Sequence, residues 1–221
     1  SYALALLGRI YYRLKDWAHL ADILPRVTRH GRVPAATLDK WTSRVHLEEL
    51  ATAADGDAVV AEWKRVPKRL KADMPLLEAY YLNLVRTGMS DKAEKDLTTA
   101  LGSDWRGPLV RLYGLVEGPD STKQLKRAEA WLSKHGDDPD LLLAAARLCL
   151  RNELWGKARS YLETVLALRP SPEAYQVYGR LLERLGEADA AADAFQSGLT
   201  IVTGEPLTAI PHLEPDAPRE N

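Results

Sequence analysis

PDLLLAAARLCLRNELWGKARSYLETVLALRP, residues 139–170, runs straight into SPEAYQVYGRLLERLGEADAAADAFQSGLTIV, residues 171–202. With Ala146 set on Gly179, Ala158 falls on Ala191, Leu162 on Phe195 and Leu166 on Leu199, each 33 residues further on. Each segment carries apolar residues at helical spacing, a polar break, and a second helical pattern. A helix–turn–helix layout with a period of about 34 residues marks the tetratricopeptide repeat.

The pattern extends towards the N-terminus. In ALLGRIYYRLKDWAHLADILPRV, Gly8, Tyr11, Trp17 and Leu24 stand where such a repeat places them. MPLLEAYYLNLVRTGMSDKAEKDLTTAL ends its first helix at Gly88 and sets Ala93 and Leu97 in the second. GPLVRLYGLVEGPDSTKQLKRAEAWLSKH puts Gly114 in one helix and Ala128 in the next, across a lengthened turn. Residues 35–72 diverge most; Trp63 and Val66 read as packing positions, and Pro67 must kink or end its helix. The expected fold is all-α, a tetratricopeptide-like α-solenoid over residues 1–204, a right-handed superhelix of about six helix pairs.

One helix pair cannot bury its own apolar face, whereas stacked pairs share a continuous core. Gly8, Ala93, Ala158 and Ala191 are small enough for helices to approach closely, and Trp17, Trp155, Leu162 and Phe195 fill the remaining space. Read as a buried aromatic, Trp155 should cost about 3–5 kcal/mol when cut to Ala. The segment EPLTAIPHLEPDAPREN, residues 205–221, differs: Pro206, Pro211, Pro215 and Pro218 prevent a helix there. It reads as a Pro-rich tail, either disordered or extended along the repeats.

Composition narrows the function. A net charge of -1, from 30 basic and 31 acidic residues, argues against bulk nucleic-acid binding. The longest apolar run, Leu141–Leu150, is broken by Arg147 and far short of the roughly 20 residues a bilayer requires. An opening already helical in pattern, SYALALLGRIYYRL, reads as the start of a soluble segment of something longer. No Gly-rich phosphate loop, nucleophile elbow or paired-His zinc motif is present. His19, His30, His46, His135 and His212 are scattered, so no metal site is expected. Cys149, in RLCLRN, reads as a core residue. No catalytic residues or resident cofactor are assigned.

The arginines are sorted. Down the first helices, away from the packing positions, stand Arg9, Arg13, Arg86, Arg111, Arg147, Arg151, Arg180 and Arg184. Lysines fall in turns and second helices. First helices line the concave surface of such solenoids, where ligands bind, and a guanidinium fork grips carboxylates in pairs. These eight therefore read as a groove for an anionic partner, with Tyr2, Tyr12, Leu115, Leu143 and Leu150 as apolar walls. The competing reading is internal pairing with Glu78, Asp140, Glu173 or Glu183.

The runs RLCLRNELWGKARSYLE (147–163), EWKRVPKRL (62–70), LLEAYYLNLVRTG (76–88) and QLKRAEAWLSKHGDDPDLLL (124–143) resemble the C-terminal repeat region of HemY-type proteins of proteobacteria. The resemblance implies two preceding membrane-spanning helices, an inner-membrane location with the repeats facing the cytoplasm, and a role in late haem or porphyrin biosynthesis. Haem-pathway enzymes would be the partners. It supplies no catalytic residues. The expected function is thus a non-catalytic scaffold holding a protein partner. The alternative is a haem or porphyrin carrier that uses the same arginines for propionates. Aromatic side chains exposed on the end repeats leave self-association open.

Overall fold

The structure is a computed structural model describing residues 2–204, so the Pro-rich tail lies outside the described residues. These residues form α-helices joined by short turns, with no strand among them. The chain divides into two compact units, Ser1–Asp120 and Ser121–Asn221, with the boundary in the lengthened turn noted above.

The first unit contains α1 (Tyr2–Leu14), α2 (Trp17–His30), α3 (Ala35–Thr52), α4 (Gly56–Arg65), a 3-10 turn at Lys68–Leu70, α5 (Met74–Arg86), α6 (Ser90–Ser103) and α7 (Gly107–Leu115). Its N-terminal core gathers Leu20, Ile23, Val27, Trp41 and Val45, with Tyr12 and Trp17 packed against them. Gly8 is small for a reason: a Cβ there would stand 2.5 Å from the Trp41 ring, so a larger residue would push α1 away from α3. Helix α4 stops at Arg65, just before Pro67, as the missing N–H requires. Val66 is buried, and Trp63 stacks on Tyr80 with ring centroids 4.5 Å apart.

The second unit contains α8 (Ser121–Leu132), α9 (Pro139–Arg151), α10 (Trp155–Leu168), α11 (Pro172–Arg184) and α12 (Ala188–Thr203). Helices α9/α10 and α11/α12 are antiparallel hairpins. Helix α9 packs against α8, α10 and α11, which explains why its Leu141–Ala146 run is buried on every side. Ala158, Leu162 and Ala191 are all buried, and Gly179 would put a Cβ 2.5 Å from the Phe195 ring. The 33-residue register found in the sequence is therefore a register of close contacts. Each unit is a stack of tetratricopeptide-like α-solenoid hairpins.

Helix starts are capped from the sequence. Asp16, Asp55, Asp138 and Ser171 each accept a hydrogen bond from a backbone N–H of the helix that follows. Hairpin turns use one left-handed residue: Lys15, Gly88, Glu153 and Gly186 all have φ between 56° and 81°.

Candidate functional site

In the second unit, four cations staple one helix to another, three of them between neighbouring hairpins and Arg169 within the α9/α10 hairpin. Arg147 Nη2 donates to Glu173 Oε1 at 2.6 Å, and Arg169 Nη2 to Asp140 Oδ1 at 2.6 Å. Arg159 makes a fork to Glu187, at 2.7 and 3.1 Å, and Lys157 reaches Glu129. The partners lie 26 to 29 residues apart, close to one repeat. Internal pairing is thus the fate of Arg147, one of the eight expected groove residues. Its second nitrogen, Nη1, is buried without a hydrogen-bond partner among the described residues.

Arg151, Arg180 and Arg184 have a different setting. They come together with Leu150, Trp155 and Leu181 around a groove of about 260 Å³ between α9, α10 and α11. Arg180 and Arg184 are one turn apart on α11, so they project from the same face. Both are exposed, and no carboxylate pairs with either among the described residues. The Arg184 guanidinium sits over the Trp155 ring, 5.6 Å from its centroid. Leu150 and Trp155 are half-buried, and Leu181 is buried at the floor. The groove combines an apolar bed with three cations at its edge.

The other four expected residues belong to the first unit and are not gathered into one site. Arg9 lines a separate hollow of about 540 Å³ with Tyr2, Ala5, Leu6, His30 and Arg32. Arg13 is exposed on α1. Arg86 is used structurally: its Nε donates to Asn83 Oδ1 and its Nη2 to the Ala53 carbonyl at the end of α3, both at 2.8 Å. Arg111 is half-buried and engaged.

Several sequence expectations change in detail. Leu143 is a core residue and Tyr12 packs on the core beside Trp17 and Trp41, so neither forms a groove wall. Trp155 was expected inside the core but is half-buried, so truncation costs less than the 3–5 kcal/mol of a fully buried ring. Its place as a groove wall was missed because a Trp opening a second helix reads as packing. Cys149 is fully buried, and burial pushes its thiol up to about 11. The described residues contain no His, Cys, Asp and Glu cluster able to hold a metal ion.

In the first unit, His46 and Arg65 flank the buried Glu62 carboxylate. His46 Nδ1 lies 2.6 Å from Glu62 Oε1, and Arg65 Nη1 donates to Glu62 Oε2 at 2.8 Å. Glu62, buried to 5 % exposure, thereby has both oxygens satisfied.

No family model and no curated protein matches the chain. Among solved structures, a crystal structure of MamA shares 18 % identity over 72 % of this chain and 95 % of its own length, with a TM-score of 0.46. A second MamA protein structure shares 17 % identity over 77 % of this chain and 98 % of its own, with a TM-score of 0.44. The MamA of AMB-1 shares 13 % identity over 74 % of this chain and 99 % of its own, also at 0.44.

Proposed function

We propose that this chain is a non-catalytic interaction module whose second unit holds an acidic segment of a protein partner. The observation that carries this reading is the contrast among its arginines. Arg147 and Arg159 are each spent on an acid of a neighbouring hairpin and Arg169 on an acid of its own, whereas no carboxylate among the described residues pairs with Arg180 or Arg184 beside the apolar groove. Acids are available on the same unit, as Glu183 is exposed on α11 itself. Guanidinium groups kept free of them match a carboxylate-bearing ligand better than a stabilising role, since exposed pairs contribute only about 0–1 kcal/mol. The ligand would set a Leu-like or aromatic side chain on Leu150, Trp155 and Leu181 and offer Asp or Glu side chains to Arg151, Arg180 and Arg184.

A dye-labelled synthetic peptide with one Leu between Glu residues is the test, read by fluorescence anisotropy. Binding should weaken at least about tenfold in Arg180→Ala/Arg184→Ala and fall with added salt. Arg159→Ala, which breaks only a staple, should leave it within about twofold. Equal affinity for the double variant and the parent chain would remove the groove from the account.

The resemblance to HemY-type proteins gives this module a finer setting: an inner-membrane protein whose repeats face the cytoplasm and hold enzymes of late haem biosynthesis. No described helix is long and apolar enough to cross a membrane, so the spanning helices of that reading would have to lie elsewhere in the protein. The tetrapyrrole alternative rests on the same cations, which suit propionates. The groove lining includes no His, Cys, Met or Tyr to ligate iron, which favours the peptide reading over a haem carrier. A porphyrin titration followed at its main absorption band separates the two.

A further inference from the structure

The first unit keeps its cations and acids at opposite rims. Arg29 lies in the last turn of α2, Lys64 and Arg65 in the last turn of α4, and Lys68, Arg69 and Lys71 follow in the 3-10 turn and its cap. Residues 64–72 hold five cations and no acid. Arg69 Nε donates to Asp39 Oδ1 on α3 at 2.8 Å. That contact sets the turn after α4 beside the start of α3, next to Arg32 and Lys40. The opposite rim, at the turn between α3 and α4, carries Asp55 and Asp57, and residues 45–63 contain no Lys or Arg.

Two of these rim cations are spent, Arg65 on Glu62 and Arg69 on Asp39. Arg29, Arg32, Lys40, Lys64 and Lys68 are exposed, and no carboxylate among the described residues pairs with any of them. Helix electrostatics account for Arg29 and Lys64, since a cation is favoured at a helix C-terminus. They do not account for Arg32 and Lys71, which stand three residues before α3 and α5, where the same dipole works against a cation. What the rim lacks narrows its partner. No large apolar side chain is exposed from residue 26 to 74, so a specific protein interface would find no central anchor there. A single nucleic-acid strand needs a free ring to stack on. Trp63 is already stacked on Tyr80, with Lys71 5.5 Å from its ring centroid. Exposed cations without an anchor or a free ring suit anions that can move to meet them, as the headgroups of a fluid bilayer do.

We infer that the rim formed by residues 29–40 and 64–71 rests on the surface of an anionic lipid bilayer, held by charge alone. The ten residues of α4 place the acidic rim roughly 15 Å further off, about two Debye lengths at physiological salt. The basic rim therefore governs the contact although the whole chain has a net charge of -1. This surface lies wholly in the first unit and does not depend on the arginine groove of the second.

Co-sedimentation of the 221-residue chain with lipid vesicles is the experiment, with circular dichroism as the folding control. The chain should bind vesicles of phosphatidylcholine containing about 30 % phosphatidylglycerol and not those of phosphatidylcholine alone. Binding should weaken at least about tenfold as salt rises from roughly 50 to 500 mM. Lys64→Glu/Lys68→Glu should weaken it at least about tenfold at low salt. Lys95→Glu/Lys126→Glu makes the same change in net charge at exposed positions on α6 and α8 and should stay within about threefold of the parent chain. No binding to the anionic vesicles at low salt would overturn the proposal. An equal loss in both double variants would overturn it too, since net charge rather than the rim would then be responsible. Unchanged binding by Lys64→Glu/Lys68→Glu would place the contact elsewhere. Duplex DNA that binds more tightly than the vesicles, and loses that binding in the same variant, would assign the rim to nucleic acid instead.

Discussion

Cys149 shows at a single residue how location sets chemistry. It lies on α9 among Leu148, Ala145 and Ala146, all fully buried, and burial is the largest cause of its raised pKa. The folded state holds the thiol proton more tightly than the unfolded chain, whose ordinary value is 9.0. Stability from this group is thus complete below pH about 9 and is lost as pH rises through about 11. Tyr81, pushed up to about 12 mainly by burial, extends the loss to higher pH. Urea midpoints measured from pH 8 to 11 should fall more steeply in the parent chain than in Cys149→Ala, by on the order of 2 kcal/mol at the alkaline end. Parallel curves would mean that the thiol is not held in its neutral form by the fold. The buried character of Cys149 was legible in its sequence neighbours. The exposure of Trp155 was not, because the spacing that places a ring on a helix does not tell whether a neighbouring helix covers both its faces.

At the scale of elements, the hairpin turns repeat more faithfully than their residues do. Gly186 supplies the left-handed residue between α11 and α12, and Glu153, 33 residues earlier, takes the same conformation with φ 57°. An L-residue with a Cβ is strained there by about 1–2 kcal/mol, whereas glycine is not. Glu153 is exposed and the neighbouring Asn152 holds the turn. The Asn152 Nδ2 donates to the Leu148 and Ser121 carbonyls, and its Oδ1 accepts from Thr122 Oγ1. Glu153→Gly should therefore raise stability by about 0.5–1 kcal/mol, the strain relieved less the greater freedom of glycine in the unfolded chain. An unchanged or lowered denaturation midpoint would show that Glu153 contributes something the turn geometry does not reveal. The turn itself was visible in the sequence as a polar break. The link from Asn152 to the start of α8 was not, since it joins residues about 30 positions apart.

At the scale of the whole molecule, stability in stacked hairpins is close to a sum of each repeat and its contacts with neighbours. Leu162 is fully buried in the second unit, so Leu162→Ala should cost about 2–5 kcal/mol. That loss should appear in hydrogen exchange as faster exchange of α9–α12 amides, with those of α1–α4 unchanged. Uniform acceleration along the chain would indicate that it unfolds as one cooperative block instead.

Helix identity, the 33-residue register, the small residues at close contacts and the stop before Pro67 were all determined by the sequence, because each depends on spacing within about one repeat. The sorting of arginine onto first helices was also visible there. Tertiary structure alone decided what those arginines do. Arg147 meets Glu173, Arg86 meets the Ala53 carbonyl, and Arg180 and Arg184 meet no acid among the described residues, although all of them look alike along the chain. The reason is range: a helical period is set by neighbours three and four residues away, whereas a guanidinium's partner is whichever oxygen packing brings within about 3 Å of it.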